Sequence, residues 1–165
     1  MKMHPDSVFH YVSTEGQIAL ERAFAIKHLA RDAGGMPRAF NFNTVVPTPA
    51  HVEASADGEE FVAWRRMNWG SPTNAFDFEG FSSQAFGSEF AFRTRESTPR
   101  HIWDRLAAEF PQIHFTILGL HEVSGRAFKL RLAHRLCEVA DCDADAIRSK
   151  LDAARRGLLR RVAAA

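Results

Sequence analysis

The stretches Phe76-Asp77-Phe78-Glu79 and Phe90-Ala91-Phe92-Arg93 decide the fold class of this 165-residue chain. In both, phenylalanine occupies every second position, a pattern typical of β-strands that bury one face. Residues 82–87 lie between the two stretches. The sequence therefore predicts an antiparallel hairpin whose phenylalanines face the core of the protein.

N-terminal to the hairpin, the sequence predicts a strand followed by a helix. Residues from Ser7 to Val12 alternate as in a strand. The capping-box pattern Thr14-Glu15-Gly16-Gln17 predicts a helix that runs to about Asp32 and ends at Gly34-Gly35. The apolar side of this helix is expected to contain Ile18, Ile26, Leu29 and Ala33.

Further elements are predicted on both sides of the hairpin. Residues 40–49 contain two prolines and are expected to be extended, and residues 59–68 predict a short helix. After the hairpin, Thr98-Pro99 predicts the start of another helix. The buried side of that helix would contain Ile102, Leu106 and Phe110. Residues 113–118 alternate as in one more strand.

The order of these elements is β–α–(loop, short helix)–β–β–α–β, which matches a split βαβ arrangement. We therefore predict an α+β, ferredoxin-like fold, in which helices pack on one face of an antiparallel sheet. Because the core needs the phenylalanine side of the hairpin, we do not expect this side to stack nucleic-acid bases.

Charge is distributed unevenly along the chain. The net charge is +1, which excludes a polyanion-binding composition for the chain as a whole. Residues 1–122 contain 11 basic and 15 acidic side chains, whereas residues 123–165 contain 10 basic and 5 acidic ones. We predict a ferredoxin-like domain over 1–122 and a basic amphipathic helical extension over 123–165. Such an extension has its own partner or docks on the acidic body of the same chain.

The prediction of a helix is strongest from Asp143 onward, where apolar residues follow helical spacing. The apolar stripe contains Ile147, Leu151, Ala154, Leu158 and Val162. This stripe also permits a homodimer. Residues 126–136 are compatible with either a strand or a helix.

Four arginines near the end of this helix are candidate nucleic-acid-binding residues: Arg155, Arg156, Arg160 and Arg161. Guanidinium groups neutralise phosphates, and binding of this kind weakens steeply with salt. On a helical wheel, however, the basic residues between 148 and 161 spread over more than half of the circumference. That spread is more typical of the solvated side of an amphipathic helix.

A second candidate binding site is the segment Asn68-Trp69-Gly70 together with Trp64. The ring of Trp69 and the amide of Asn68 could bind a planar or amide-bearing group. In the alternative, structural interpretation, Trp69 fills the core, Gly70 ends the helix and Asn68 satisfies backbone groups of the loop.

The sequence contains no recognisable catalytic or metal-binding motif. Its eight histidines lack metal-ligand and catalytic spacing and are expected at the surface. Acidic residues in 141–152 match some EF-hand positions, but Ala146 replaces the required glycine and Asp152 replaces the final glutamate. We therefore predict a protein that is not an enzyme and that uses no cofactor and no metal.

No run of 18 apolar residues and no apolar N-terminal segment occurs, so we expect no membrane association. Cys137 and Cys142 do not have the spacing of a zinc or redox site. A cytoplasmic location, in which both thiols stay reduced, is the expectation.

Four segments between residues 40 and 120 resemble one protein family. The segments are Phe40-Asn41-Phe42-Asn43 with Pro47-Thr48-Pro49, Trp64-Arg65-Arg66-Met67-Asn68-Trp69-Gly70, Phe92-Arg93-Thr94 with Ser97-Thr98-Pro99, and Glu109-Phe110-Pro111 with Phe115-Thr116. Their order and spacing resemble the YubB-like ferredoxin-like domain family of plasmids and prophages. The resemblance implies a ferredoxin-like fold without an iron–sulfur cluster, and an origin in a mobile genetic element.

The chain departs from this family at two places. The family usually has Thr-Lys-Trp where this chain has Ser71-Pro72-Thr73, and a tryptophan where this chain has Glu96. If the family binds a ligand between those rings, this chain has lost part of the site or changed its ligand.

These observations lead to one functional hypothesis and one alternative. The first is a non-enzymatic interaction protein of a mobile genetic element that binds a host or element-encoded protein complex. A specific form of it is inhibition of a host defence complex, as in anti-CRISPR or anti-restriction proteins. The alternative is a nucleic-acid-binding accessory protein that uses the Arg-rich C-terminal helix.

Overall fold

A computed structural model describes residues 6–34, 37–55, 58–81 and 89–164. The strands are β1 (Ser7–Glu15), β2 (Leu29–Arg31), β3 (Pro37–Phe40), β4 (Phe76–Gly80), β5 (Glu89–Arg95), β6 (His114–His121), β7 (Ala127–Ala133) and β8 (Leu136–Asp141). The helices are α1 (Ile18–His28), α2 (Phe42–Val45), α3 (Ala50–Glu53), α4 (Glu59–Trp69), α5 (Arg100–Glu109) and α6 (Ala144–Ala164). None of the helices in these described ranges is long and apolar enough to cross a membrane.

Six strands form one sheet in the order β4-β5-β1-β6-β7-β8, and each neighbouring pair is antiparallel. The first strand in sequence, β1, lies inside the sheet, where Val12 is opposite Phe90 on one side and Ile117 on the other. β2 and β3 form a separate two-stranded sheet. The protein is thus an α+β fold with an antiparallel sheet, as the sequence predicts.

The main core lies on one face of the sheet, against α1, α2, α4 and α5. Phe90 and Phe92 are fully buried there, and Phe78 packs against them. β4 pairs with β5 in antiparallel register. The antiparallel hairpin is therefore confirmed with Phe78, Phe90 and Phe92 facing the core, while its predicted turn at 82–87 lies outside the described residues. The expectation is wrong for Phe76, which lies opposite Arg93, before a shift in the strand register, and is not part of this core.

The opposite face of the sheet is partly covered by α6. Ile147 is buried there in a second apolar cluster with Phe9, Tyr11 and Leu118. Leu151 and Ala154 of the predicted stripe pack against the same cluster; the side chains of Leu158 and Val162 lie outside the description. The helices α1, α2, α4 and α5 thus pack on one face of the sheet, as predicted, and α6, from the predicted C-terminal extension, covers part of the other face, which is also apolar. This packing uses part of the stripe on which the predicted homodimer depends.

An ion pair joins α6 to the edge strand β4. Arg155 donates from Nε and Nη2 to the two carboxylate oxygens of Glu79, at 2.9 and 2.7 Å. The uneven charge predicts a basic extension that either has its own partner or docks on the acidic body of the same chain. In the structure, the basic helix α6 docks on the body of its own chain.

The prediction of a helical extension over 123–165 is correct only from Ala144. Residues 127–133 and 136–141 are strands that continue the sheet beyond β6. Leu130 and Leu132 alternate with Lys129 and Arg131, and both leucines are buried in the main core. The period of two thus dominates over the helical spacing of the same segment, because pairing with β6 buries every second residue.

The first helix differs from its prediction in bounds and in buried side. Thr14 belongs to β1, and its hydroxyl donates to Glu21 at 2.7 Å instead of capping a helix. Ile18 and Ile26 are 60% and 65% exposed, whereas Phe24 is fully buried. The ring of Phe24 meets four other phenylalanine rings of the core, and this burial orients the helix.

The predicted helices at 59–68 and after Thr98-Pro99 are present as α4 and α5. Gly70 ends α4 in the left-handed region with φ 83°, where a Cβ would lie 2.8 Å from the backbone nitrogen of Arg100. Pro99, and not Thr98, is the residue that precedes the first turn of α5. The hydroxyl of Thr98 is instead within hydrogen-bond distance of His10 and Trp103.

The docking of α6 predicts unequal effects of one substitution at two helical isoleucines. Ile147→Ala removes buried contacts between α6 and the sheet and should lower the free energy of unfolding by about 2 to 4 kcal/mol. The matched control Ile26→Ala changes an exposed side chain and should stay within about 0.5 kcal/mol of wild type. Urea unfolding measures both, and equal effects would contradict the docked position of α6.

Candidate functional site

The candidate site at Asn68-Trp69-Gly70 has contacts that match the structural interpretation. Trp69 is fully buried, and its indole N–H donates to the carbonyl of Val46 at 2.9 Å. Trp64 is half-buried, and its ring meets that of Trp69 edge-on at 6.0 Å. The side chain of Asn68 donates to the carbonyl of Trp64 at 2.8 Å. These groups close the end of α4 and leave no free indole face at Trp69.

Glu96, which occupies the place of a tryptophan in the resembled family, is paired with α4. Arg66 donates to both of its carboxylate oxygens, at 2.9 and 2.6 Å. The hydrogen bond from Arg66 lowers the pKa of Glu96. An ion pair therefore stands where the family resemblance places an aromatic ring.

The four candidate arginines of α6 do not form one cluster. Arg155 is paired with Glu79, while Arg156 and Arg160 are exposed. The side chain of Arg161 is outside the described part of the structure. The exposed pair is separated by one helical turn, so it shares one side of the helix.

A cleft of about 890 Å³ lies on the sheet face that carries α6. Five polar residues on adjacent strands form its floor, and the strand register aligns them in one row across the sheet. In order from β5 to β8 the row is Glu89, Ser13, Thr116, Arg131 and Glu138. Lys150 of α6 also lines the cleft. We call this row together with Lys150 the polar row.

The cleft begins where the apolar half of this sheet face ends. Tyr11 and Leu118 lie opposite each other and pack in the cluster beneath α6. Ser13 lies two residues after Tyr11 on β1, and Thr116 lies two residues before Leu118 on β6. Side chains two residues apart on a strand share a face. The same face is thus covered by α6 over its apolar half and open over its polar half.

Charges of both signs in the cleft have no ion-pair partner in the part of the chain that the structure describes. Arg131, Lys150 and Glu138 are exposed, and within the described ranges none of them makes a salt bridge. Glu89 accepts a hydrogen bond from the Tyr11 hydroxyl at 3.1 Å. Burial, with Glu89 nearby, raises the pKa of Tyr11, so its hydroxyl stays protonated as the donor.

His10 and His28 are buried, so the expectation that the histidines lie at the surface is wrong for these two. His10 is fully buried, stacks on Phe92 with ring centroids 4.7 Å apart, and has Nε2 3.1 Å from the hydroxyl of Thr98. Its Nδ1 has no hydrogen-bond partner among the described residues. Burial lowers the pKa of His10 from 6.5 to about 3, so the ring is neutral at pH 7.

The second buried histidine, His28, connects three helices. Its Nδ1 lies 2.7 Å from the Thr44 hydroxyl, and its Nε2 lies 3.1 Å from a carboxylate oxygen of Glu109. Burial lowers the pKa of His28, although Glu109 opposes this effect. A hydroxyl, an imidazole and a carboxylate in this order resemble a catalytic relay. The Thr44 hydroxyl, however, is also within donating distance of the Asn41 carbonyl at 2.7 Å, which fits a structural connection.

Comparisons with known proteins address the fold and not the cleft. No protein-family model matches the chain, and no curated protein matches it either. The chain is similar to the crystal structure of a protein api92 from Yersinia pseudotuberculosis, which carries the family model DUF1281. The match has a TM-score of 0.52 and 11% identity, and it covers 62% of this chain and 39% of that one. A likeness at this identity supports a shared α+β fold alone.

Burial of neutral His10 predicts an acid-dependent loss of stability. The unfolded chain takes up the proton near pH 6.5, whereas the native protein takes it up only near pH 3. Stability therefore falls as the pH drops through this window, by about 2 to 3 kcal/mol between pH 6.5 and 4.5. His28, whose pKa is also lowered, adds a loss in the same direction.

Denaturant unfolding at pH 7 and 4.5 measures this loss. His10→Leu should show a shallower pH dependence than wild type, because it removes the group that must be protonated. The control His51→Leu changes an exposed histidine and should retain the wild-type dependence. An unchanged dependence in His10→Leu would exclude His10 as its cause.

Proposed function

We propose that this chain is a non-enzymatic interaction protein that binds a partner protein through the polar row. The observation that carries the proposal is the open cleft of about 890 Å³, whose exposed charges of both signs make no salt bridge to any residue that the structure describes. A surface built only to be solvated does not need a concave shape, and charged groups of both signs provide specificity for a complementary partner. The hydroxyls of Ser13 and Thr116 supply further donors and acceptors between the charges.

We also propose that the body of the protein has the ferredoxin-like split βαβ topology. The order β4-β5-β1-β6 supports this proposal, because each helical crossover in it connects two strands that flank a third. In this proposal residues 1–122 form the ferredoxin-like domain, and 123–165 add a hairpin to its sheet and a helix to its open face.

We also propose a source for the protein and a class of partner. The four segments that resemble the YubB-like family support an origin in a plasmid or prophage. A cytoplasmic host or element-encoded complex, with a host defence complex as the specific form, is the partner class that such an origin suggests. The proposed mechanism is occlusion of the partner's surface, which requires no catalytic group.

Nucleic-acid binding through α6 is the second candidate function. The observation in its favour is that Arg156 and Arg160 are exposed on one side of the helix. The carboxylates of Glu89 and Glu138 in the nearby cleft oppose it, because they repel phosphates. Binding of this kind should weaken steeply as salt increases.

Affinity capture from a host lysate, with and without nuclease, distinguishes the two functions. We expect a stoichiometric protein partner that survives nuclease and is lost with Arg131→Glu. The matched control Arg105→Glu makes the same charge change on the exposed side of α5, beyond the main core, and should retain the partner. A partner retained by Arg131→Glu, or one that disappears with nuclease and with R156E/R160E, would contradict the proposal.

A further inference from the structure

We infer that the cleft recognises an extended polypeptide segment that carries an acidic and a basic side chain at each end and an apolar anchor residue beside one of these ends. This inference rests on the proposed function and specifies the chemistry of the partner. It follows from the separation of charges along the polar row, from the hydroxyls between them and from a second, smaller cavity beneath α6.

The charges of the polar row are concentrated at its two ends. Lys150 and Glu89 line the cleft at one end, and Arg131 and Glu138 are directly opposite each other on β7 and β8 at the other end. Glu89 on β5 and Arg131 on β7 are separated by three inter-strand spacings, which correspond to about 14 Å. An extended segment of about four residues spans this distance. Each end offers both a cation and a carboxylate, so a ligand gains most when each of its ends carries one acidic and one basic side chain.

The middle of the polar row is suited to a peptide backbone. Ser13 and Thr116 are half-buried, and each hydroxyl can donate one hydrogen bond and accept others. A backbone presents N–H donors and C=O acceptors in alternation. Phosphodiester groups present acceptors alone, and the three carboxylates of Glu15, Glu89 and Glu138 in the cleft repel them.

A smaller cavity of about 220 Å³ adjoins this cleft and shares Glu89 and Lys150 with it. Its remaining lining is mostly apolar or small: Tyr11, Phe81, Ala153, Ala154 and Gly157. A buried apolar anchor in a pocket surrounded by polar contacts is the usual source of affinity in a protein interface. We therefore place the anchor side chain of the segment between α6 and Tyr11.

Gly157 offers a direct way to close the smaller cavity. A Cβ built at this residue has no described heavy atom within 4 Å, so a larger side chain can be introduced without a clash at its first carbon. Gly157→Leu should therefore preserve the fold while it fills the space that the anchor would occupy.

The test measures the binding of synthetic ten-residue peptides by fluorescence anisotropy at one salt concentration. In three matched sets, both ends of the segment carry an acidic and a basic residue, two acidic residues, or two basic residues. Each set has leucine or glycine at the anchor position, next to the end that meets Glu89 and Lys150. We expect mixed-charge peptides with leucine to bind at least tenfold more tightly than either single-sign set and than their glycine counterparts. Gly157→Leu should remove the preference for leucine and leave the charge preference.

The exchange variant R131E/E138R keeps the net charge of the protein and should reverse the preferred order of the acidic and basic residues at the peptide end that meets β7 and β8. Arg105→Glu should leave both preferences unchanged, and matched thermal melts establish that all variants are folded. Equal binding of single-sign peptides, an unchanged order in the exchange variant, or displacement of the peptide by a single-stranded oligonucleotide would overturn the inference. If lysate capture still depends on Arg131 in that case, the proposed function stands and only the peptide specificity fails.

Discussion

The burial of β1 on both faces is the constraint on which the rest of the structure depends. Val12 faces the main core, Val8 lies on the same side of the strand, and Phe9 and Tyr11 face the opposite side. All four are nearly inaccessible to solvent. A strand of this kind must lie inside a sheet and between two layers. The hairpin β4–β5 and the strand β6 enclose it within the sheet, α1 and α5 cover one face, and α6 must cover the other.

The cleft follows from where this second face stops being apolar. α6 packs on the sheet through Ile147, and Leu151 and Ala154 extend that contact. At Ser13 and Thr116 the face becomes polar, and a helix gains little by covering hydroxyls that water already satisfies. The apolar half therefore gives the fold its second layer, and the polar half leaves an open concave surface that is available to a partner.

Local patterns were sufficient to predict the elements with strong periodicity, and insufficient where tertiary contacts decide. The alternation at Phe90 and Phe92 and the spacing of Ile102 and Leu106 identified their elements and their buried sides. The orientation of α1 could not be read from its spacing, because the burial of Phe24 outweighs the exposed isoleucines. The polar row could not be predicted either. Each of its five strand residues resembles an ordinary solvent-facing residue until the register of five strands aligns them.

The most direct test of the account is NMR chemical-shift mapping of the ¹⁵N-labelled full chain during titration with its captured partner. If the polar row is the binding surface, the largest shifts will occur at the backbone amides of Ser13, Thr116, Arg131 and Glu138 and at Lys150. Amides of α4 and α5 on the opposite face will then change little. Shifts concentrated on α4 and α5, or on Arg156 and Arg160 alone, would contradict the central claim.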